Sequence, residues 1–468
     1  MKQTVVCGVM VWMSVYAAAA VEVFPVCTVA DNQRYPSISG EKVVWQDARN
    51  AVSGIDIYGY DLAAGQEFFV TTAADKQEYP KISGDIVVWQ DSRSFATKGY
   101  DIYGRNLAEG TDFPICTAAG NQQFPAVSGN IVVWYDNRNA VTGNDIYGFN
   151  LATMTEFLIC GDAGSQTRPA IDGDWVVWMD SRDGVSQIYG CRLVFPLVFP
   201  IPADGLTAIR LSPSNTAQGF PSVSGNKVVW HEKRDDARDF DVFGLNLDSM
   251  EEFLVCGAVG KQTNAAISGD LVAWQDDRNG TARKDIYGCM LSAGEPFVLS
   301  ATPADQMSAA VSGRVTVWEQ GGDIWAADMP EPTTMSVLWP DGGEMFLGGS
   351  VQDIRWQTDG PAIAEVKIEF SADAGENWQI VEPNVPDTGV YVWTTPDADS
   401  QACLVKISDI GATGAADVSD AAFTVFRCET GLTADLTGDC RVNVADFAVF
   451  ASQWLKCGNP YDAMWCRE

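Results

Sequence analysis

Hydrophobic and polar positions along residues 21–330 form a repeat. A phrase close to "Q..P.ISG..VVWQD.R......DIYG.NL....EF.VCT" occurs seven times. Its marker is a tryptophan, at Trp45, Trp89, Trp134, Trp178, Trp230, Trp274 and Trp318, with intervals of 44, 45, 44, 52, 44 and 44 residues. Each unit predicts four strands, in the first unit over 36–39, 42–46, 56–62 and 67–71. A glycine followed by an acid or Asn (Gly40-Glu41, Gly84-Asp85, Gly129-Asn130) supplies the positive φ of a tight hairpin between the first two strands. The second strand is continuously apolar, as expected when both faces are buried. Four strands per 40–45 residues predict a blade, and seven units predict a mainly β chain built on a seven-bladed β-propeller.

Fourth strands fall near Phe68, Phe113, Phe157, Ile209, Phe253 and Phe297, one short of seven. The last unit ends at 324–328 and runs into Pro330 and Pro332, whereas residues 21–28 (VEVFPVCT) match the missing strand. The N-terminal strand is therefore expected to complete the seventh blade and remove its free edge. The phrasing resembles TolB-like propeller repeats of secreted bacterial proteins over about 310 residues. That resemblance implies a recognition or scaffolding platform more often than an enzyme, and fold alone does not decide function.

Beyond a Pro-rich linker the period changes. Short alternating strands are predicted at 336–339, 351–356, 365–371, 378–381, 390–394, 403–408 and 423–426, a β-sandwich over 331–427. "PDGGEMFLGGSVQDIRW" and "VKIEFSADAGENW" resemble Ig-like modules of the Kre/Knh type. In the tail, 428–468, "DLTGDCRVNVAD" has the oxygen spacing of an EF-hand-type loop, and a hard Ca²⁺ ion needs six or more oxygens. The ligands would be Asp435, Thr437, Asp439, the Arg441 carbonyl, Asn443 and Asp446. Val442 would pack inward ahead of an amphipathic helix at 444–455 carrying Phe447, Phe450 and Trp454. The segment resembles a dockerin type I repeat of the planctomycete secreted form, which implies a cohesin-like or cell-surface partner. It departs from that pattern at Cys440, where glycine is usual, at Thr437, and in having one clear loop.

Residues 1–20 read as a leader: Lys2, an apolar stretch at 5–16 and small residues at 17–20. A secreted product (extracellular, cell-surface or periplasmic) is expected, with no membrane span. Of 12 cysteines, 11 follow the leader, so at least one lacks an intramolecular partner. Co-occurrence suggests Cys160–Cys191 and Cys256–Cys289 bridges, against buried thiols as the plainer reading. The formal charge of −32 argues against nucleic acid and anionic membranes.

The repeat also carries an Asp/Arg pair after five of its seven second strands (Asp47/Arg49, Asp91/Arg93, Asp136/Arg138, Asp180/Arg182, Asp276/Arg278) and an Asp opening most third strands. Recurrence in nearly every unit favours a structural role, each Arg bridging the two acids. A site is then sought where the repeat breaks: His231 and Glu232 in unit five, Glu319 and Trp325 in unit seven. With one histidine in the chain, Ser-His, Cys-His and His-rich metal schemes are disfavoured. The reading favoured is a non-catalytic binding protein, its propeller facing a polysaccharide or protein. The alternative is a carbohydrate-active enzyme, glycosidase or lyase.

Overall fold

The computed structural model describes residues 21–50, 54–139, 141–194, 205–234, 239–280, 283–330, 333–411, 414–427, 434–437, 440 and 442–453. The leader falls outside them, as do residues 195–204, within the one long interval between marker tryptophans (Trp178 to Trp230). The chain divides into two compact units between Met329 and Pro330.

The first unit is a β-propeller of seven four-stranded antiparallel sheets. In the first sheet, Gln33–Ser39, Lys42–Asp47, Asp56–Asp61 and Gln66–Thr71 lie side by side in chain order. First strands of successive sheets adjoin, and Gln306–Ser312 returns to Gln33–Ser39. The strand Glu22–Cys27 pairs antiparallel with Asp323–Asp328, completing the last sheet from the opposite end of the unit.

The repeat phrase explains how the sheets are joined. Each marker tryptophan is fully buried. Trp89 packs with Val44 and Ile57 of the preceding sheet, and Trp45 packs with Val317 and Ile324 across the closing seam. The hairpin glycine adds a second link through its backbone N–H. Gly84 donates to Ser39 Oγ (3.0 Å), Gly129 to Ser83 Oγ (3.0 Å), and Gly40 to Ser312 Oγ (2.9 Å), which closes the circle. These glycines sit near φ +55°, a region in which L-residues are rare. The "SG" of the repeat is thus a hairpin and an inter-sheet bond in one dipeptide.

First strands begin earlier than sequence patterning predicts, at Gln33 instead of residue 36, because a bulge interrupts each of them. Tyr35 and Pro36 together oppose Trp45, and the same irregularity recurs in all seven sheets. The fourth strand of sheet four is only Ile209–Arg210.

The second unit holds two sheets. Thr334–Trp339, Val351–Asp359 and Val390–Thr394 form one of three strands. The other contains Met345–Leu347, Phe423–Phe426, Ser400–Asp409, Glu365–Ser371 and Gln379–Pro386, with Ala416–Val418 beside the long strand. Val337, Ile354, Trp356, Phe370, Trp393 and Phe423 share one core. The strands Met345–Leu347 and Ala416–Val418 were too short for an alternating pattern to reveal. The helix Val444–Gln453 follows the loop of the tail. Among the described residues no helix is long and apolar enough to cross a membrane.

Candidate functional site

The outer Asp/Arg positions are internally satisfied. In every sheet the marker tryptophan's indole N–H donates to the residue two positions on: Trp45 to Asp47 (2.8 Å), Trp230 to Glu232 (3.0 Å), Trp318 to Gln320 (3.4 Å). Asp47, Asp91, Asp136, Asp180, Glu232 and Asp276 are at most 1% exposed. Each is ion-paired to the arginine two residues later at 2.6–2.7 Å. The expected bridge to the third-strand Asp is replaced by another. The guanidinium stacks over the third strand's ring (Arg49 on Tyr58 at 4.2 Å, Arg234 on Phe243 at 3.7 Å) and so reaches the fourth strand. There it pairs with Glu67 (2.6 Å), Glu156 (2.7 Å) or Glu252 (2.5 Å).

The same guanidinium explains the recurring cysteines. Arg49, Arg138, Arg182 and Arg278 donate to Sγ of Cys27, Cys116, Cys160 and Cys256 at 2.9–3.2 Å. The two suggested bridges do not form: Cys160, Cys191, Cys256 and Cys289 are free, buried thiols. Burial pushes Cys160 and Cys191 up to about 12 and Cys289 to about 11, far from thiolate reactivity.

The residues at which the repeat breaks fall in two places. Glu232 substitutes for Asp in the outer set. Burial pushes its pKa up, but bonds from Arg234, Ser214, Thr216 and Trp230 outweigh this and hold it near 2. His231 and Glu319 occupy the position just after the marker, where Gln46 and Gln90 accept the backbone N–H of Tyr79 (3.2 Å) and Phe124 (3.3 Å) in the next sheet. His231 does the same through Nδ1 for Asn264 N–H (3.2 Å) and lies between Phe220 and Phe240. Burial lowers it to about 4, so it is neutral and positions a neighbour. Glu319 is buried, which raises its pKa against the pull of Arg34 3.6 Å away. Trp325 is half-buried between the sixth and seventh sheets, beside Trp318 and Leu299. Among the described residues no hydrogen bond, ion pair or ring contact joins His231 and Glu232 to Glu319 and Trp325.

These acceptors lead inward, to a feature sequence reading missed. The bulge residue of each first strand is Tyr35, Tyr79, Phe124, Arg168, Phe220, Asn264 or Ser308, all at φ +51° to +56°. With their neighbours they line a central cavity of about 360 Å³. Tyr35, Tyr79 and Phe124 form a continuous aromatic arc, with ring centroids 4.5 and 4.2 Å apart. Arg168 continues it, its guanidinium 3.5 Å from the Phe124 centroid and 4.7 Å from that of Phe220. Asn264 and Ser308 leave the opposite side low and polar. One level along, Ser37, Ala126, Ala170, Ser222, Ala266 and Ala310 are small, and only Lys81 is not. The signal was present in "Q..P.ISG": the residue before the proline varies inside an otherwise fixed phrase.

In the tail, Thr437 Oγ1 lies 2.9 Å from Asp446 Oδ1 and 3.4 Å from Asp435 Oδ1, so three of the predicted oxygens converge. Backbone bonds from Asn443 and Thr437 depress Asp446 to about 2. Cys440 takes φ +63°, the left-handed conformation that a glycine would supply, and is disulfide-bonded. Asp439, Arg441 and Trp454 lie outside the described residues. Val442 is 56% exposed, contrary to the expected inward packing: nothing described covers it.

No family model matches the chain, and no curated protein does. Solved structures do. A chain from a structural and mechanistic study of two prolyl endopeptidases matches at a TM-score of 0.50 and 11% identity, over 81% of this chain and 53% of its own. The β-propeller domain of the Trilobed protease from Pyrococcus furiosus matches at 0.49 and 13%, over 64% of this chain and 95% of that domain. TolB from Acinetobacter baumannii matches at 0.43 and 17%, over 58% and 68%. At these identities the likeness is one of fold alone, and it is the chain's own seven four-stranded sheets that make the first unit a β-propeller.

Proposed function

We propose that this chain is a secreted, non-catalytic binding protein: a seven-bladed TolB-like propeller as recognition platform, an Ig-like β-sandwich as spacer over 331–427, and a Ca²⁺-stabilised, dockerin-like attachment module over 428–468. One observation carries the reading of the propeller. Its outer acids are taken up by tryptophan and arginine, while the side chains that differ from sheet to sheet gather around one central cavity. A variable set on a fixed frame is how a repeat scaffold builds a binding site. The alternative of a glycosidase or lyase would draw its acids from the outer set, where each second-strand acid is already held by an indole N–H and a guanidinium. In the tail, Asp435, Thr437, Asp439, the Arg441 carbonyl, Asn443 and Asp446 would hold Ca²⁺, and the convergence of Thr437 on two carboxylates supports the fit. Bound there, Ca²⁺ would neutralise clustered carboxylates and fix the loop against the helix.

The test screens the full chain against immobilised glycans and peptides. Tyr79→Ser should abolish the hits, since Ser308 shows that serine fits a bulge position. Hits that survive it would place recognition elsewhere. For the tail, Ca²⁺ should protect the full chain from proteolysis beyond residue 427, and Asp435→Ala should cancel that protection.

A further inference from the structure

Two cations line the central cavity without a counter-ion. Arg168 makes no hydrogen bond or ion pair among the described residues; its contacts are the rings of Phe124 and Phe220. Rings on a guanidinium's faces leave its in-plane N–H donors free to point at a ligand, and such donors match the oxygens of carboxylate or sulfate. Lys81 likewise has no partner among the described residues, and its column is otherwise Ser or Ala. Lys81 is exposed, but the solvent it meets is the interior of a channel ringed by seven strands. Enclosure therefore governs its charge: burial lowers its pKa, and the nearby Arg168 lowers it further. Burial lowers Arg168 as well, with the tyrosines Tyr135, Tyr79 and Tyr35 opposing. Glu78, three residues before Lys81, is engaged with Gln90 and Tyr100.

Two like charges held together in a half-dry space raise the energy of the free protein, and an anion placed with them relieves it. The net charge of −32 does not prevent this, because at physiological salt charges beyond about 8 Å are largely screened. We propose, on the reading that the channel is the recognition site, that it takes an anionic sugar residue. Its carboxylate or sulfate would meet Lys81 and Arg168, and its ring would sit against the apolar wall that Tyr79 and Phe124 form. The walls match that chemistry. The aromatic arc offers an apolar wall to the C–H groups of a sugar, while Ser222, Asn264 and Ser308 offer partners to hydroxyls. A volume of about 360 Å³ lies at the small end of ligand pockets (about 300–1,000 Å³), which favours a chain end or pendant residue over a threaded polymer.

Calorimetry on the full chain tests this with four probes: trigalacturonate, its methyl ester, a dextran sulfate oligomer against dextran, and triglutamate. Lys81→Ala installs the residue found at Ala126 and Ala170, and Arg168→Asn that of Asn264, so both should fold with an unshifted melting temperature. Trigalacturonate should bind, its ester should not, and each substitution should weaken binding about tenfold or more, the loss of a charge-assisted bond. Dextran sulfate binding with the same dependence, in place of trigalacturonate, would assign the anion as sulfate. Equal binding of the ester, indifference to both substitutions, or tighter binding of triglutamate would overturn the proposal. If neutral sugars bind through Tyr79 alone, the recognition reading survives and the anion proposal falls. If no probe binds, the anion proposal falls, and the recognition reading stands only on hits in the wider screen that Tyr79→Ser abolishes.

Discussion

The propeller holds charge in two places, an outer ring and two cations in the central channel, and they are built on opposite terms. On the outer loops, Asp136 is fully buried yet has an indole N–H, an ion-paired arginine and a backbone N–H. In the channel, Lys81 and Arg168 lie among rings and small residues with no acid to answer them. The outer set barely changes from sheet to sheet; the inner set changes at almost every one. Recurring charge with complete satisfaction marks architecture. Charge that appears once, at a position otherwise apolar or small, marks a place where something outside the chain is expected to complete the bonding.

The largest effect should come from breaking the outer set. Arg138→Ala leaves Asp136 fully buried without its cation, and breaking such a pair costs about 3–5 kcal/mol. Urea unfolding should show the loss, while ligand binding by the remaining folded protein stays unchanged. An unaltered midpoint would mean the outer ring is not holding the sheets.

A smaller effect separates positioning from recognition. His231 titrates near 4 when folded and near 6.5 when unfolded, so the unfolded chain binds more protons between those values. Its contribution is present above about pH 6.5 and is lost as pH falls towards 4, at most about 3 kcal/mol. His231→Gln restores the residue of Gln46 and Gln90 and should flatten stability across that window. An unchanged slope would assign the acid sensitivity to other groups.

Much of the propeller was legible because each unit must bury the same tryptophan and turn the same hairpin. The strand at Glu22–Cys27, which pairs with the last sheet, could be placed by counting fourth strands, since a missing edge has to be supplied from somewhere. The channel was harder to see. A bulge puts two residues opposite one, so Tyr35 and its equivalents leave the period-two pattern on which strand reading depends. His231 and Glu319 stood out as departures from the repeat, but their rarity gave no direction. Only the structure shows that His231 turns inward to hold the bulge of the next sheet, and that Glu232 beside it belongs to the outer ring.

The most direct test of this contrast is where a bare anion settles. Crystals of the full chain soaked in bromide should give their strongest anomalous peak in the channel between Lys81 and Arg168, and Lys81→Ala should lose it. Bromide bound along the outer arginines, with the channel empty, would contradict the account.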